Sequence, residues 1–119
     1  MSLVQVAIGG AIGASLRYGV NLALPRGGFP WHTLAVNVLG SALMGALMVA
    51  LAHRGHQNLA PLLMTGVLGG FTTFSAFSMD TMALVGRGQT LLALAYVAAS
   101  VLLSLAAFAL AAQITRSLA

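Results

Sequence analysis

The chain has 119 residues, 60% of them hydrophobic and 5% charged, and five arginines against a single acid give a formal net charge of +4. So few charges cannot cover the surface of a soluble domain, in which about a quarter of the residues are ordinarily charged. The arginines are scattered singly and form no basic face, which argues against nucleic-acid binding, and the absence of cysteine excludes disulfides and thiolate sites.

The apolar residues fall into four blocks, each close to the about 20 residues that a helix needs to cross the hydrocarbon core. We therefore predict an all-α membrane protein whose residues 1–119 form a single domain of four transmembrane helices. The helices are expected at about Leu3–Leu24, Trp31–His53, Pro61–Val85 and Thr90–Ala112, with short glycine-containing or polar loops between them. The first block lacks a charged leading region, so it is interpreted as a mature span and not as a cleaved signal.

The charges of the loops leave the orientation in the membrane open. Arg54 and Arg116 would lie on one side and Arg26 and Arg87 on the other, while Arg17, near the end of the first span, changes the balance only slightly. An excess of positive charge on one side normally fixes orientation. The chain therefore either inserts both ways, which favours an antiparallel homodimer, or inserts one way with a weak bias.

The first predicted span combines small residues with a charge. Gly9 and Gly13, with Gly10 and Ala14, form the small-residue spacing that lets membrane helices approach closely, so we predict a packing face there. Arg17 places a full positive charge inside the span. An intramembrane charge is a candidate functional residue because it is costly to keep there.

The second predicted span carries a polar stripe. Thr33, Asn37, Ser41 and Gly45 recur every four residues, so they share one face of a helix whose other faces are apolar. An amide in the middle of a membrane needs a partner or water. Asn37 therefore either staples two helices together or lines a polar path.

The third predicted span has a centre that weakens a helix. A Gly-Gly pair, Gly69 and Gly70, is followed by Thr72, Thr73 and Ser75. A broken helix is tolerated in a membrane only where the freed backbone groups meet protein, water or an ion. The centre is therefore either a breakpoint that binds an ion or a glycine-rich packing surface.

Aromatic and hydroxyl side chains add to this pattern. Phe71, Phe74 and Phe77 recur every three residues around the polar centre. Such an aromatic stripe is usually lipid-facing or packing material, but the positive edges of phenyl rings beside a pore can also hold a small anion. The fourth span carries Tyr96, Ser100 and Ser104 at intervals of four. One membrane hydroxyl can bond its own preceding carbonyl, but three aligned hydroxyls can form a ladder of donors for a small hydrated solute.

At this point the chain resembles the Fluc/CrcB fluoride channels, which are small four-span bacterial proteins. The resemblance covers essentially the whole chain. It is carried by GGAIGASLRY in the first span, TLAVNVLGSALMG in the second, GVLGGFTTFSAFSMD in the third, and the Tyr96, Ser100 and Ser104 spacing in the fourth.

The resemblance implies an antiparallel, dual-topology homodimer in the bacterial inner membrane, with two fluoride pathways lined by both subunits. It also implies a third helix broken at GGFTTF and a structural sodium ion at the dimer interface, held by main-chain carbonyls that fall on Gly69 and Thr72. The family's pathway residues fall on Arg17, Thr33, Asn37, Phe74, Ser75, Phe77, Tyr96, Ser100 and Ser104. The chain departs from the family pattern at Ala76, where a hydroxyl residue is common, and at Asp80, where a glutamate is usual.

We predict a fluoride-selective channel that exports the ion passively and reduces its toxicity in the cytoplasm. Its partners would be fluoride, the lipid bilayer and a second copy of the chain, with no nucleic acid. The alternative is a small multidrug or cation exporter of the four-span dual-topology type, which needs an intramembrane carboxylate that alternates between proton and substrate. A third possibility is a structural subunit whose polar stripes only pack helices.

An enzyme is not expected. His32, His53 and His56 lie at span ends or in a loop, and no nucleophile–base pair or metal-ligand cluster can be assembled from them. They are interpreted as polar residues of the membrane interface.

Overall fold

The computed structural model describes residues 2–24 and 28–118. All regular structure within these residues is helical. In chain order the elements are α1 (Ser2–Ala23), α2 (Trp31–Arg54), a 3₁₀ turn (Gln57–Leu59), a π-helical segment (Pro61–Leu68), α3 (Gly69–Phe71), α4 (Phe74–Gly86) and α5 (Thr90–Leu118). The predicted loop at Pro25 to Gly28 falls mostly on residues 25–27, which lie outside the described residues.

The described part of the chain contains four helical spans that are long and apolar enough to cross a membrane. They are Ser2–Ala23, Trp31–Arg54, Gln57–Gly86 and Thr90–Leu118. This confirms the predicted all-α, four-span fold. The last helix continues past the predicted Ala112, because a helix that leaves the apolar region keeps its backbone hydrogen bonds and needs only polar side chains on its surface.

Glycines fix two of the helix ends. Gly55 follows α2 with φ 70°, and Gly88 follows α4 with φ 77°. This left-handed backbone stops a helix, and glycine adopts it without a steric penalty. Pro61 opens the π-helical segment at the predicted start of the third span, and in this first turn its missing N–H removes no helical hydrogen bond.

Close glycine contacts join α1 to the third span. Gly9 and Gly13 are the buried residues of α1. A Cβ added at Gly66 would lie 2.9 Å from the Cα of Gly9, and one added at Gly70 would lie 2.7 Å from the carbonyl oxygen of Gly10. The backbones therefore meet without intervening side chains, which confirms the predicted packing face.

The tightest core lies where α2, α4 and α5 meet. Leu34, Leu84, Ala93 and Tyr96 form one buried cluster, and Leu84 and Tyr96 are fully covered. Gly45 lets α2 approach α5, since an added Cβ would lie 3.1 Å from the carbonyl carbon of Phe108. The polar stripe of α2 thereby comes to face the hydroxyl row of α5.

Much apolar surface remains outside this core. Large side chains on every span are exposed, among them Leu3, Leu91 and Leu102. Such a surface is stable against lipid chains or another membrane helix, since neither is more polar than the side chains themselves.

Candidate functional site

The third span is broken at Thr72 and Thr73. Their backbones are extended, with φ −81° and ψ 157° at Thr72 and φ −152° and ψ 124° at Thr73. Gly69 stays helical, so the break follows the glycine pair instead of falling on it. The glycines serve the close approach to α1, while the β-branched threonines adopt the extended conformation that suits them. The predicted broken third helix is confirmed.

Asn37 stabilises this break from α2. Its Nδ2 donates to the carbonyl of Thr73 at 3.1 Å, and its Oδ1 accepts from the N–H of Thr73 at 2.9 Å. One side-chain amide therefore satisfies both backbone groups of an extended residue, which would otherwise be costly to bury. Of the two roles left open by the sequence, the staple is present in the structure.

Thr73 also begins the second half of the span. Its Oγ1 accepts from the N–H of Ala76 at 3.1 Å and lies 3.2 Å from the hydroxyl of Ser75. A threonine that accepts from the third residue of the next helix is a standard N-cap. Residues of the third span itself therefore end the first half-helix and begin the second.

These bonds change the surroundings of the two carbonyls that the resemblance singled out. In a continuous helix the N–H of Thr73 would donate to Gly69 and the N–H of Ala76 would donate to Thr72. Both N–H groups donate to side chains instead. The carbonyls of Gly69 and Thr72 therefore do not receive the N–H donors that a continuous helix would give them.

Arg17 reaches the same break from α1. Its Nε donates to the carbonyl of Gly70 at 3.2 Å, and the side chain is half-buried. Gly70 lies at the carboxyl end of the first half-helix, where unpaired carbonyls carry partial negative charge. The guanidinium therefore caps the half-helix electrostatically.

An open groove of about 330 Å³ runs between α2, α4 and α5, and we call it the polar groove. It is lined by Asn37, Gly40, Ser41, Met44, Thr72, Thr73, Phe74, Phe77, Ser100, Val101, Ser104 and Phe108. Five of the predicted pathway residues line it. Ser41 and Phe108 were not among them, although Ser41 follows Asn37 by four residues and Phe108 follows Ser104 by four.

The phenylalanines of the third span do not form a single stripe. Phe74 is 77% exposed, and its ring centroid lies 5.4 Å from that of Phe77. Phe71 is only 6% exposed and packs beside Gly40. The break rotates the chain between Phe71 and Phe74, so only the later two rings reach the polar groove.

Beyond Phe77, buried Thr33 and Tyr96 meet half-buried Asp80 in what we call the buried polar cluster. The Asp80 carboxylate accepts from the hydroxyl of Thr33 at 2.5 Å and from that of Tyr96 at 3.3 Å. The Tyr96 and Phe77 rings are 5.2 Å apart, so the cluster adjoins the polar groove. Sequence reasoning left the role of Asp80 open, and its position as shared acceptor depends on three helices meeting.

The hydroxyls of α5 differ in their surroundings. Tyr96 is fully buried, Ser100 is buried, and Ser104 is half-buried in the polar groove. The Ser100 Oγ makes no hydrogen bond within the described residues. Ser75 and Arg17, which the resemblance also assigned to the pathway, lie outside the groove lining of a single chain, and Ser75 is exposed.

Comparison with known proteins identifies the family. The model of the family described as CrcB-like protein, Camphor Resistance (CrcB), matches residues 4–112. The chain belongs to the CrcB family. It is accordingly a multi-pass bacterial membrane protein.

The relatives of this CrcB-family protein cover nearly the whole chain. A protein of Paracoccus denitrificans (strain Pd 1222) is 58% identical over 108 residues, covering 89% of this chain and 87% of the relative. One from Cereibacter sphaeroides (strain ATCC 17029) is 60% identical over 108 residues, with 88% and 86% covered. One from Ruegeria sp. (strain TM1040) is 52% identical over 120 residues, with 98% and 95% covered. Each is named as a fluoride-specific ion channel, FluC, and not as an enzyme.

Proposed function

We propose that this CrcB-family protein is a fluoride-selective channel that lets the ion leave the cytoplasm passively. The observation that carries the proposal is the polar groove, in which an amide, hydroxyls and phenyl rings line one continuous surface between three helices. Every residue that lines it is uncharged. The names of the relatives at 52–60% identity support the same function.

The groove provides the groups that a small anion needs. Fluoride is strongly hydrated, so a narrow path has to replace its water with donors in close succession, as ion filters elsewhere do. Ser100 and Ser104 supply hydroxyl donors, and the Asn37 amide has a second N–H besides the one bonded to Thr73. The edges of Phe74 and Phe77 add weak positive potential without a fixed charge.

A second copy of the chain would complete the pathway. The groove of a single chain is open, and Phe74 at its border is 77% exposed. An oppositely inserted copy would cover this polar surface from lipid and would agree with the balanced loop arginines. The proposed assembly is therefore an antiparallel homodimer, in which exposed polar residues such as Ser75 meet the partner.

The break in the third span fits a sodium ion at that dimer interface. The carbonyls of Gly69 and Thr72 have lost their helical donors, and neutral carbonyl oxygens are suitable ligands for a hard monovalent cation. Bound there, the ion would neutralise the carbonyl dipoles of two half-helix ends. Asn37 and Thr73 hold the extended backbone in the conformation that withdraws these two helical donors.

The position of Asp80 argues against a proton-coupled cation exporter. A carboxylate that alternates between proton and substrate has to face the transport path. Asp80 instead accepts hydrogen bonds from Thr33 and Tyr96 and does not line the polar groove.

Fluoride flux from liposomes tests the proposal. Purified protein is reconstituted, the vesicles are loaded with potassium fluoride, and a fluoride electrode records the efflux after valinomycin is added. Efflux well above that of protein-free vesicles, with no comparable chloride efflux from chloride-loaded vesicles, is expected. Fluoride efflux equal to that of the protein-free vesicles would refute the function.

A further inference from the structure

Ser41 lines the polar groove, although it is not one of the predicted pathway residues. It follows Asn37 by four residues on α2, so the two side chains share a face of the helix, and it is half-buried. The groove therefore continues along α2 past the amide, as far as Met44. What this extension can do depends on the groups that meet it from α5.

Ser41 lies level with Ser104 of α5. As the second and the fourth of the four spans, α2 and α5 cross the membrane in the same direction. They touch at Gly45, where an added Cβ would lie 3.1 Å from the carbonyl carbon of Phe108. Ser41 precedes Gly45 by four residues. Ser104 precedes Phe108 by the same number, so each serine lies one helical turn before this contact, and both line the groove.

The fold makes no use of the Ser41 hydroxyl. A serine inside a helix commonly donates to the carbonyl four residues earlier. Ser15 and Ser117, outside the groove, do so at 2.7 and 3.1 Å. The Ser41 hydroxyl makes no such bond, nor any other side-chain hydrogen bond within the described residues. Its O–H is therefore available to a solute in the groove.

We infer that Ser41 is a further fluoride-binding residue, which donates together with Ser104 one turn beyond the Asn37 amide. The inference rests on the proposed function and adds a residue of α2 to its pathway. Beyond Asn37 the groove offers a fluoride ion the thioether of Met44 and the ring of Phe108, neither of which donates a conventional hydrogen bond. A donor at Ser41 keeps the replacement of hydration water continuous along α2.

Fluoride efflux from liposomes tests this, with the unfolding midpoint in detergent measured on the same preparations. Ser41→Ala removes a donor but no hydrogen bond of the fold, so efflux should fall about fivefold while the midpoint stays unchanged. Ser41→Thr keeps the hydroxyl and should retain most of the flux. Ser15→Ala is the matched control, because it removes an exposed hydroxyl that is bonded to its own helix, and it should match the wild type.

A thiol at the same position reports whether the side chain faces water. The chain contains no cysteine, so Ser41→Cys introduces one thiol per subunit. Silver ions bind thiolates and reach them through water, so silver in chloride-free solution should block efflux through this variant. Leu39→Cys is the matched control, because Leu39 is exposed on another face of the same helix and its thiol should leave efflux insensitive to silver.

Three results would each overturn the inference alone. They are wild-type efflux through Ser41→Ala, a Ser41→Thr variant as slow as Ser41→Ala, and efflux through Ser41→Cys that silver does not reduce. If Ser41→Ala lowers the unfolding midpoint, its efflux no longer isolates the donor, and the silver response of Ser41→Cys decides. Absence of fluoride efflux in the wild type would overturn the proposed function, and this inference with it.

Discussion

The amide of Asn37 and the peptide groups of Thr73 form a two-bond pair, at 2.9 and 3.1 Å, in which a side chain on α2 takes the place of a neighbouring strand. Through this pair the second span determines the backbone of the third. The same pair withdraws the Thr73 N–H from Gly69, so the availability of a carbonyl on one helix depends on a side chain of another.

Removing the amide should therefore weaken both the fold and the pathway. Asn37→Ala leaves the N–H and carbonyl of Thr73 unsatisfied, which is expected to cost about 1–3 kcal/mol of unfolding free energy and most of the fluoride flux. Thermal unfolding in detergent and liposome efflux measure the two effects. Ser41→Ala, one turn later on the same face and without a hydrogen bond to the break, should preserve stability. Equal stability of Asn37→Ala and wild type would contradict the staple.

The close glycine contacts between α1 and the third span predict that even a methyl side chain at these positions destabilises the fold. Gly70→Ala would place a methyl group 2.7 Å from the carbonyl oxygen of Gly10, so we expect about 1–3 kcal/mol of destabilisation from overpacking. Gly86→Ala, at the end of α4 with nothing within 4 Å of the added Cβ, should be neutral or slightly stabilising. Unfolding midpoints of the two variants in the same detergent provide the comparison. Similar midpoints would show that the backbones are not in contact.

Substitution of Ser100 distinguishes a role of its hydroxyl in the ion pathway from a role in helix packing. Its buried Oγ makes no hydrogen bond within the described residues, so Ser100→Ala removes no bond and should leave the unfolding midpoint unchanged or slightly higher. If the hydroxyl serves as a donor to the permeating ion, fluoride efflux should fall by about tenfold, the effect of about 1.4 kcal/mol on a barrier. Thr115→Ala, which removes a hydroxyl bonded to its own helix, is the control. Unchanged efflux with Ser100→Ala would exclude that role.

Tyr96→Phe tests the buried polar cluster with little change in shape. The ring keeps its contacts with Phe29 and Phe77, while Asp80 loses a hydroxyl donor and retains Thr33. We expect about 1–3 kcal/mol of lost stability, since the bond is to a charged group, together with slower fluoride efflux. Tyr18→Phe, at an exposed position on α1, should match the wild type in both measurements. A Tyr96→Phe variant that is as stable as wild type would argue against the Asp80 bond.

Sodium dependence tests the proposed cation site without altering main-chain ligands. A cation that binds only the folded dimer stabilises it in proportion to the logarithm of its concentration. Raising sodium from well below to about 100 times its dissociation constant should therefore add about 2.7 kcal/mol, read as a higher unfolding midpoint. N-methylglucamine at the same ionic strength is the control. Identical midpoints in the two salts would remove the sodium ion from the proposal.

Much of the site can be predicted because it depends on local spacing. Asn37 and Ser41 on one helix, and Ser100 and Ser104 on another, are four residues apart, so each pair shares a face whatever the rest of the chain does. Their meeting across one groove follows from the contact between α2 and α5, which Gly45 permits at Phe108.

Other features could not be read from spacing. The three-residue repeat of Phe71, Phe74 and Phe77 suggests one aromatic stripe, yet the break separates Phe71 from the other two. The break itself follows the Gly-Gly pair, because those glycines are engaged by α1 while Thr73 is engaged by Asn37. Competition between partners on different helices decides such a position.

The sequence by itself determined the number of spans, their all-α class and the polar faces they carry, because length, apolarity and periodicity are properties of a continuous segment. Tertiary structure alone decided that Asp80 would accept hydrogen bonds from Thr33 and Tyr96. It also decided that His32 and Asp80 would line the same small pocket. The partner of a polar group depends on which backbones approach one another, and here glycine contacts set that approach.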